Sequence, residues 1–380
     1  MDVGLTYFQS DKNDQLIVRD ATTQDNHQLL TLVAETMPSN GMILSFERGD
    51  NYFKATYAQY HQPEIKVVVE KHQPDVIIGM MNIGFKHCYI NEQLTQIRYV
   101  SDLRINPSFR GKKVVEVLMD YLYRQVPLDS FLQSVVLEDN QKARHMLHQS
   151  RPHFPEPYIF DQITTYNISK ASDSKSFEQF SMRILTKDLI AIANQFIDQM
   201  KQYYNFLPAY DFHDLFTGEH PFWVGMRPED FILIFDANQQ LVGILGLWNQ
   251  KSFKQTKVLE YSPSLKYLRP FYNVYAYLTQ QIMLPQIGQS FDYLMSHSVL
   301  CEPSRLDVFA YQLYLLNVET KKSGKSSFCI TLSDDDPRSV IAKQSRSHQM
   351  HATHTLHSFQ NSPIGQFDRS KISYFEVGRL

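Results

Sequence analysis

The sequence has few of the residues and runs that would settle its chemistry at a glance. It holds three cysteines, Cys88, Cys301 and Cys329. They are odd in number, far apart and in no metal-ligand spacing, so a disulfide framework and a cysteine zinc site are excluded and they read as reduced, packed thiols. No run of lysine or arginine occurs and the formal charge is −3, which leaves no strong field to draw nucleic acid or an anionic membrane. Nowhere do roughly 18 apolar residues run together, the length a spanning helix needs. The opening MDVGLTYFQSDKND lacks the basic-then-apolar pattern of a signal peptide. The expectation is a soluble, cytoplasmic protein with no membrane or nucleic-acid partner.

What is present is globular material on a scale too large for one core. A chain of 380 residues predicts two domains at roughly 150 residues each, and an apolar share of 43% supplies their interiors. Tyr and Phe far outnumber Trp; rings in that number serve dense packing first and apolar ligand channels second.

The N-terminal half alternates strand and helix signals. LIVR (16–19) reads as a strand and QDNHQLLTLVAET (24–36) as a helix, by the change from consecutive apolar residues to helical spacing. IKVVVE (65–70) and VIIGMMNIGF (76–85) are β-branched runs around a short polar turn, hence a hairpin. IRYVSDLRI (97–105) is a further strand. It runs into INPSFRGKKVVEVL (105–118), where Pro107 ends the strand, Gly111 permits a tight turn, and a helix starts near Lys112. A helix start directly beyond a strand leaves amides unpaired and carries partial positive charge, which suits a phosphate. Arg110, Lys112 and Lys113 add fixed charge. FLQSVVLEDN (131–140) is a strand ahead of a short helix capped by Asp139 or Asn140, and YIFDQITTYNI (158–168) closes the unit.

This order resembles the GCN5-related N-acetyltransferase (GNAT) family over roughly 14–170, most specifically in DLRINPSFRGKKVVEVLMDYL (102–122). The resemblance implies acetyl-CoA as co-substrate. It places Leu103, Arg104 and Ile105 along the pantetheine arm and Arg110, Gly111, Lys112, Lys113, Val114 and Val115 at the pyrophosphate, with Asn140 joining the cofactor set. The chain departs from the family pattern twice. Lys113 stands where a second small residue is usual, and Asn140 and Ala143 are followed by Leu147 where the family commonly has the tyrosine that protonates the leaving thiolate. His148, the next residue, has a side chain suited to that proton transfer near neutral pH. Asp102 is the candidate general base; the alternative is an ion pair with Arg104 or Arg98, which share its face of the strand. Cys88 has no placement that argues for a thiol nucleophile.

The C-terminal half echoes the first in order. DFILIFDANQQLVGILGLW (230–248) matches the hairpin, SHSVLCEPSRLDVFAYQLYLL (296–316) the strand, Pro-Ser and helix, and SFCITLSDDDPRSV (327–340) the later strand. Three ordered echoes imply an internal duplication. Aligned at proline, Leu306 and Asp307 take the places of Arg110 and Gly111, so the second copy has no phosphate turn. SKASDSKSFEQ (169–179) reads as the linker. His348, His351, His354 and His357 recur every third residue, so that neighbouring pairs would share a helical face, but no cysteine or carboxylate completes a ligand set and no metal is expected. NQKSFKQTKVLEYSPSLKYLRPFYNVYAYL (249–278) interleaves basic and aromatic residues in a way that fits RNA or a peptide, or a connection packed on the core.

The expected fold class is α/β (α+β): two GNAT-like domains, 1–170 and a degenerate 171–380, each a mixed, mostly antiparallel sheet flanked by helices. The expected function is acetyl or acyl transfer from acetyl-CoA to an amine of a small molecule or peptide by direct attack, an EC 2.3.1 chemistry. The alternatives are a noncatalytic acyl-CoA-binding or scaffolding protein and a Fem-like aminoacyl transferase. The acceptor and the oligomeric state are open at this point.

Overall fold

The computed structural model describes residues 7–34, 36–39, 41–147, 151–172, 177–218 and 220–380. The first half runs β1 (Leu16–Asp20), α1 (Asn26–Val33), β2 (Met42–Glu47), α2 (Tyr52–Thr56), β3 (Ile65–Glu70), β4 (Gln73–Asn82), β5 (Phe85–Ile90), β6 (Gln93–Tyr99), β7 (Ser101–Ile105), α3 (Val114–Gln125), β8 (Phe131–Leu137), α4 (Gln141–Leu147) and β9 (Glu156–Lys170). The β3–β4 hairpin is as expected. The β5–β6 hairpin is not: its turn, Asn91-Glu92, takes positive φ at both residues (49° and 68°), the conformation a tight hairpin wants, with a glutamate where a glycine would have announced it.

The second half runs α5 (Ile190–Met200), β10 (Phe231–Phe235), β11 (Leu241–Trp248), β12 (Gln255–Tyr261), α6 (Pro263–Thr279), β13 (Tyr293–Leu300), α7 (Leu306–Lys322), β14 (Ser327–Ser333) and β15 (Arg346–Ser358), with shorter elements between them. The four histidines expected on a helix lie in β15, a strand hydrogen-bonded on both sides, to β8 and to β9. His354 and His357 are buried there, and an i, i+3 spacing puts successive histidines on opposite faces of a strand.

The strands form a mixed, mostly antiparallel architecture. A five-stranded sheet runs Phe8–Gln9, β1, β3, β4, β7; an eleven-stranded sheet runs Ser181–Ile184, β10, β11, β13, β14, β9, β15, β8, β6, β5, Leu207–Pro208. The last strands of the two halves cross over. β15 lies beside β8 of the first half, β9 lies beside β14 of the second, and the two pair with each other along most of their length. A third, small sheet joins β12 to β2.

The halves match in register. In the first, parallel β6 and β8 set Arg98 opposite Leu132 and Tyr99 opposite Gln133. In the second, β13 and β14 set Leu294 opposite Phe328 and Met295 opposite Cys329, the same pairs displaced by 196 positions. Asp102 and Ser298 have the same displacement, and both have φ of 50°, a conformation that crowds any side chain. Helix α3 buries Val114, Val117, Leu118 and Leu122 at helical spacing over the five-stranded sheet. Gly79 of β4 lets it approach: a Cβ there would lie 2.6 Å from Val114 Cγ1. Gly243 of β11 does the same for α7, where a Cβ would lie 2.9 Å from Val308 Cγ1.

Candidate functional site

β6 and β7 are one strand broken at Val100, whose amide still donates to Gln133 of β8 (2.8 Å). Beyond the turned backbone of Asp102, β7 leaves β8 and continues as the last strand of the five-stranded sheet. Its inner edge pairs with β4, Met80 opposite Arg104 and Gly79 opposite Ile105. Alternation therefore directs the carbonyls of Leu103 and Ile105 to the other edge, toward the gap opened from β8. The Leu103 oxygen accepts from Arg104 Nη1 (3.0 Å).

The gap leads to the Arg-Gly turn. Pro107–Phe109 makes one tight helical turn, Gly111 has φ of 83° and Lys113 has φ of 61°. α3 then begins at Val114, two residues later than expected, and its first helical bond runs from Val117 N–H to the Lys113 carbonyl (3.0 Å). The amides of Val114, Val115 and Glu116 precede that bond and have no acceptor within the helix. Gly111, Lys112 and Lys113 are exposed. Lys113 holds a left-handed conformation that glycine adopts without cost, and a lysine there carries about 1–2 kcal/mol of strain. The place of the second small residue thus keeps a glycine-type backbone under a charged side chain. Lys112 lies over the Phe109 ring, 4.5 Å from its centroid.

Asp102 is buried, and both carboxylate oxygens are engaged: Oδ2 accepts from Tyr52 Oη (2.9 Å) and Oδ1 from Arg48 Nη2 (3.2 Å). The ion pair expected with Arg104 or Arg98 is made with Arg48 instead, because β2 brings that arginine in from the other side; Arg98 pairs with Glu64 (3.0 Å). Burial alone would raise the Asp102 carboxyl, but the charge of Arg48, then that of Arg104, and the Tyr52 hydrogen bond hold it below the usual carboxylate range. Lys254, at the start of the β12 arm, faces the same group and donates to the backbone oxygen of Leu380 (2.5 Å). Burial, with Arg48 nearby, brings its ammonium down to about 7.

The corresponding strand of the second half is occupied by the chain itself. Arg338 Nη1 donates to the Val299 carbonyl (2.9 Å), Tyr204 Oη to the Cys301 carbonyl (2.7 Å), and Ser298 N–H donates to Glu376 Oε1 (2.8 Å). Arg338 is fully buried and paired with Asp336 (2.7 Å). The turn is also shorter: from Pro107 to Val114 the chain advances by two residues more than from Pro303 to Val308, the valines that meet Gly79 and Gly243. Leu306 and Asp307 are therefore helix residues of α7. They do not replace Arg110 and Gly111; the second half lacks those positions. Arg305 and Asp307 close on each other at 2.9 Å over the helix start.

Where the halves meet there is a cavity of about 40 Å³ lined by Gln59, His61, Lys86, His87, Glu376 and Arg379 among others. Gln59 is 4% exposed and its Oε1 has no hydrogen-bond partner. Glu376 accepts from Ser298 N–H and Tyr374 Oη, both at Oε1, and burial raises its carboxyl to about 7. Arg379 donates to the carbonyls of Ala58 (3.2 Å) and Phe222 (3.0 Å). A wider cleft of about 420 Å³ shares His61, His87 and Phe222 with the cavity and carries Asp198, Asp211 and Asp214. None of these residues stands out in the sequence, because the second half supplies Glu376 and Arg379 from its last residues and the first half supplies Gln59.

Asn140 caps α4, its Oδ1 accepting from Ala143 N–H (3.1 Å). His148 lies outside the described residues. Cys88 is buried and its thiol is pushed up to about 12 by desolvation, as befits a packed side chain. No group of three or more metal-ligating side chains occurs among the described residues, and none of the described helices is long and apolar enough to cross a membrane.

The acetyltransferase (GNAT) family model matches residues 27–150. No curated protein sequence matches the chain. Among solved structures, N-myristoyltransferase of Saccharomyces cerevisiae with bound myristoyl-CoA superposes with a TM-score of 0.55 at 9% identity, over 93% of this chain and 86% of that one. A GCN5-related N-acetyltransferase from Sphaerobacter thermophilus superposes with a TM-score of 0.52 at 10% identity, over 96% and 100%. Likeness at such identities is a likeness of fold, and it extends over nearly the whole chain. The split strand, the Arg-Gly turn and the match to the acetyltransferase (GNAT) family model fall in the same segment, residues 27–150.

Proposed function

We propose that the chain is an acyl-CoA-dependent N-acyltransferase made of two GNAT-like copies, 1–170 and 171–380, in which the first copy alone holds the cofactor. The observation that carries this reading is the edge of β7. It is split from β8, it ends at the amides of Val114, Val115 and Glu116, and its counterpart in the second copy is filled by Arg338, Tyr204 and Glu376. Leu103, Arg104 and Ile105 would lie along the pantetheine arm, and Arg110 to Val115 would take the pyrophosphate, with the helix start supplying amides and Lys112 and Lys113 supplying charge.

The acceptor amine enters from the cleft carrying Asp198, Asp211 and Asp214, where three carboxylates favour a protonated amine, and reaches the cavity, where the unpartnered Gln59 Oε1 accepts one of its N–H groups. Glu376, whose ordinary range has been moved to neutrality, takes one proton from the ammonium and frees its lone pair. Attack on the thioester carbonyl then forms the new C–N bond as the C–S bond breaks, and the second proton lost by the nitrogen goes to the departing thiolate, which leaves as free CoA. Asp102, with its charge committed to Arg48, holds the cations of the junction in place and is the second candidate for base.

The test is release of free CoA from acetyl-CoA across a panel of small-molecule and peptide amines, with the Glu376→Gln variant as control. The proposal expects amine-dependent release that the variant slows on the order of a hundredfold while still binding CoA. Binding without release for any amine would instead favour a noncatalytic acyl-CoA-binding protein, a reading that Leu147, in the place of the usual tyrosine, keeps open.

A further inference from the structure

Helix α6 has its polarity reversed. Arg269 and Asn273, one turn apart, point inward: Arg269 Nε and Asn273 Nδ2 both donate to the Leu284 carbonyl (3.0 and 2.9 Å), and Asn273 Oδ1 accepts from Leu284 N–H (2.9 Å). Ala276, on the same side, is the buried residue of the helix. The outward face is apolar. Tyr267, Phe271, Val274, Tyr275, Tyr277 and Leu278 are 76, 67, 62, 55, 76 and 74% exposed, and five of them repeat at the i, i+4, i+7, i+8, i+11 spacing of one helical stripe.

The helix is held firmly at both ends. The Ser262 side chain caps its start, accepting from Leu265 N–H, and Gln280 closes its end in a left-handed conformation. At roughly 150–250 Å² per aromatic side chain and on the order of 100 Å² for each of the two aliphatic ones, the side-chain area that ~25 cal/mol per Å² assigns to a fully buried Val or Leu, the six present on the order of 550–800 Å². That lies at or above the roughly 300–600 Å² of the largest patch on an ordinary monomer and approaches the roughly 800 Å² that one partner gives to a standard interface.

We propose that this face is a homodimer interface, α6 packing against α6 of a second copy across a two-fold axis near Val274. The area needed for a stable pair is present on each copy, and a self-complementary apolar stripe is what an isologous contact requires. The rings are rich in tyrosine, the composition of interface cores. A membrane surface is the weaker occupant: helices that lie on lipid carry lysines and arginines on the polar face, whereas here Arg269 is turned into the protein and Lys266 is the sole exposed basic residue of the helix. The arm bearing α6 begins at Lys254, so the contact would brace one wall of the junction, but the inference does not depend on the chemistry proposed for it.

The test is sedimentation of the full chain from low to high micromolar concentration, alone and with phosphatidylcholine–phosphatidylglycerol vesicles. The wild type is expected to dimerise. Phe271→Glu with Leu278→Glu places like charges across the axis and removes two central apolar residues, so dimer affinity should fall on the order of a thousandfold while acetyl-CoA titration stays unchanged. Val274→Cys should cross-link copy to copy under oxidising conditions, the three native thiols being buried. A wild type that stays monomeric throughout, a dimer that survives the double substitution, or a monomer that sediments with the vesicles would each overturn the proposal.

Discussion

Replacing Arg48 by methionine isolates the electrostatics of the junction. Arg48 and Asp102 pair at 3.2 Å with side chains only 9% and 6% exposed, and removing one partner of such a buried pair costs about 3–5 kcal/mol because the other charge is left behind. Tyr52 still donates to the carboxylate and Arg104 and Lys254 still face it, so the lower end, about 3 kcal/mol at neutral pH, is expected. The pH dependence carries more information. In the wild type the folded-state pKa of Asp102 lies below its unfolded value, so the pair contributes stability above that value and loses it as pH falls through the folded one. Without Arg48, desolvation, the largest influence on this group, is less opposed. The folded pKa then rises, so the variant loses less stability than the wild type as pH falls, and the penalty should shrink on acidification from pH 7 toward the ordinary carboxylate range, about pH 4. Urea unfolding of wild type and variant at both pH values measures it, and Asp102→Asn, which keeps the left-handed backbone that asparagine tolerates, completes a double-mutant cycle with Arg48→Met. A penalty below about 1 kcal/mol, the scale of a surface pair, or one that is the same at both pH values, would refute the account of this pair.

Gly79→Val should push the start of α3 outward, since even a Cβ there would lie 2.6 Å from Val114 Cγ1; overpacking of this kind costs about 1–3 kcal/mol, and CoA affinity should drop in step by calorimetry. Lys113→Gly should raise thermal stability by about 1 kcal/mol through relief of its left-handed backbone; a clear loss of stability would show that the conformation at Lys113 has been misassigned. The rate of acyl transfer should rise through about pH 7 with deprotonation of Glu376, and Glu376→Gln should flatten that limb in a pH–rate profile. A limb that stays in the variant, or lies below pH 4 in the wild type, would transfer the role of base to Asp102.

The strand before the turn and the turn itself were legible because their signals are local, whereas the break at Val100 that divides 97–105 between two sheets was read as one continuous strand. Pro107, Gly111 and the apolar spacing from Val114 onward mark strand end, turn and helix within a dozen residues, and the β3–β4 hairpin carries its own pattern. The junction was not legible because its parts are remote. Arg48 meets Asp102 from 54 positions away, and the cavity combines Gln59 with Glu376 and Arg379. The crossover of β9 and β15 is equally silent, since a strand's composition does not name its neighbour. Helical periodicity in 263–279 shows that α6 has an apolar side, but not which way it faces; here the polar side is anchored to Leu284 and the apolar side is outward. The proline alignment of the two halves misplaced Leu306 and Asp307 because a two-residue shortening leaves the flanking patterns intact.

The most direct measurement is calorimetric titration of the purified chain with acetyl-CoA and with CoA, repeated on Gly111→Val. No atom lies within 4 Å of a Cβ at Gly111, so the substitution strains only the turn's own backbone at φ of 83° and leaves the cores untouched. The account predicts one site per chain in the wild type and at least roughly tenfold weaker binding in the variant, the effect of about 1–2 kcal/mol of strain at the amides that face the phosphates. Equal affinity in the two proteins, or a wild type that binds neither ligand, would contradict the assignment of this turn as the cofactor site.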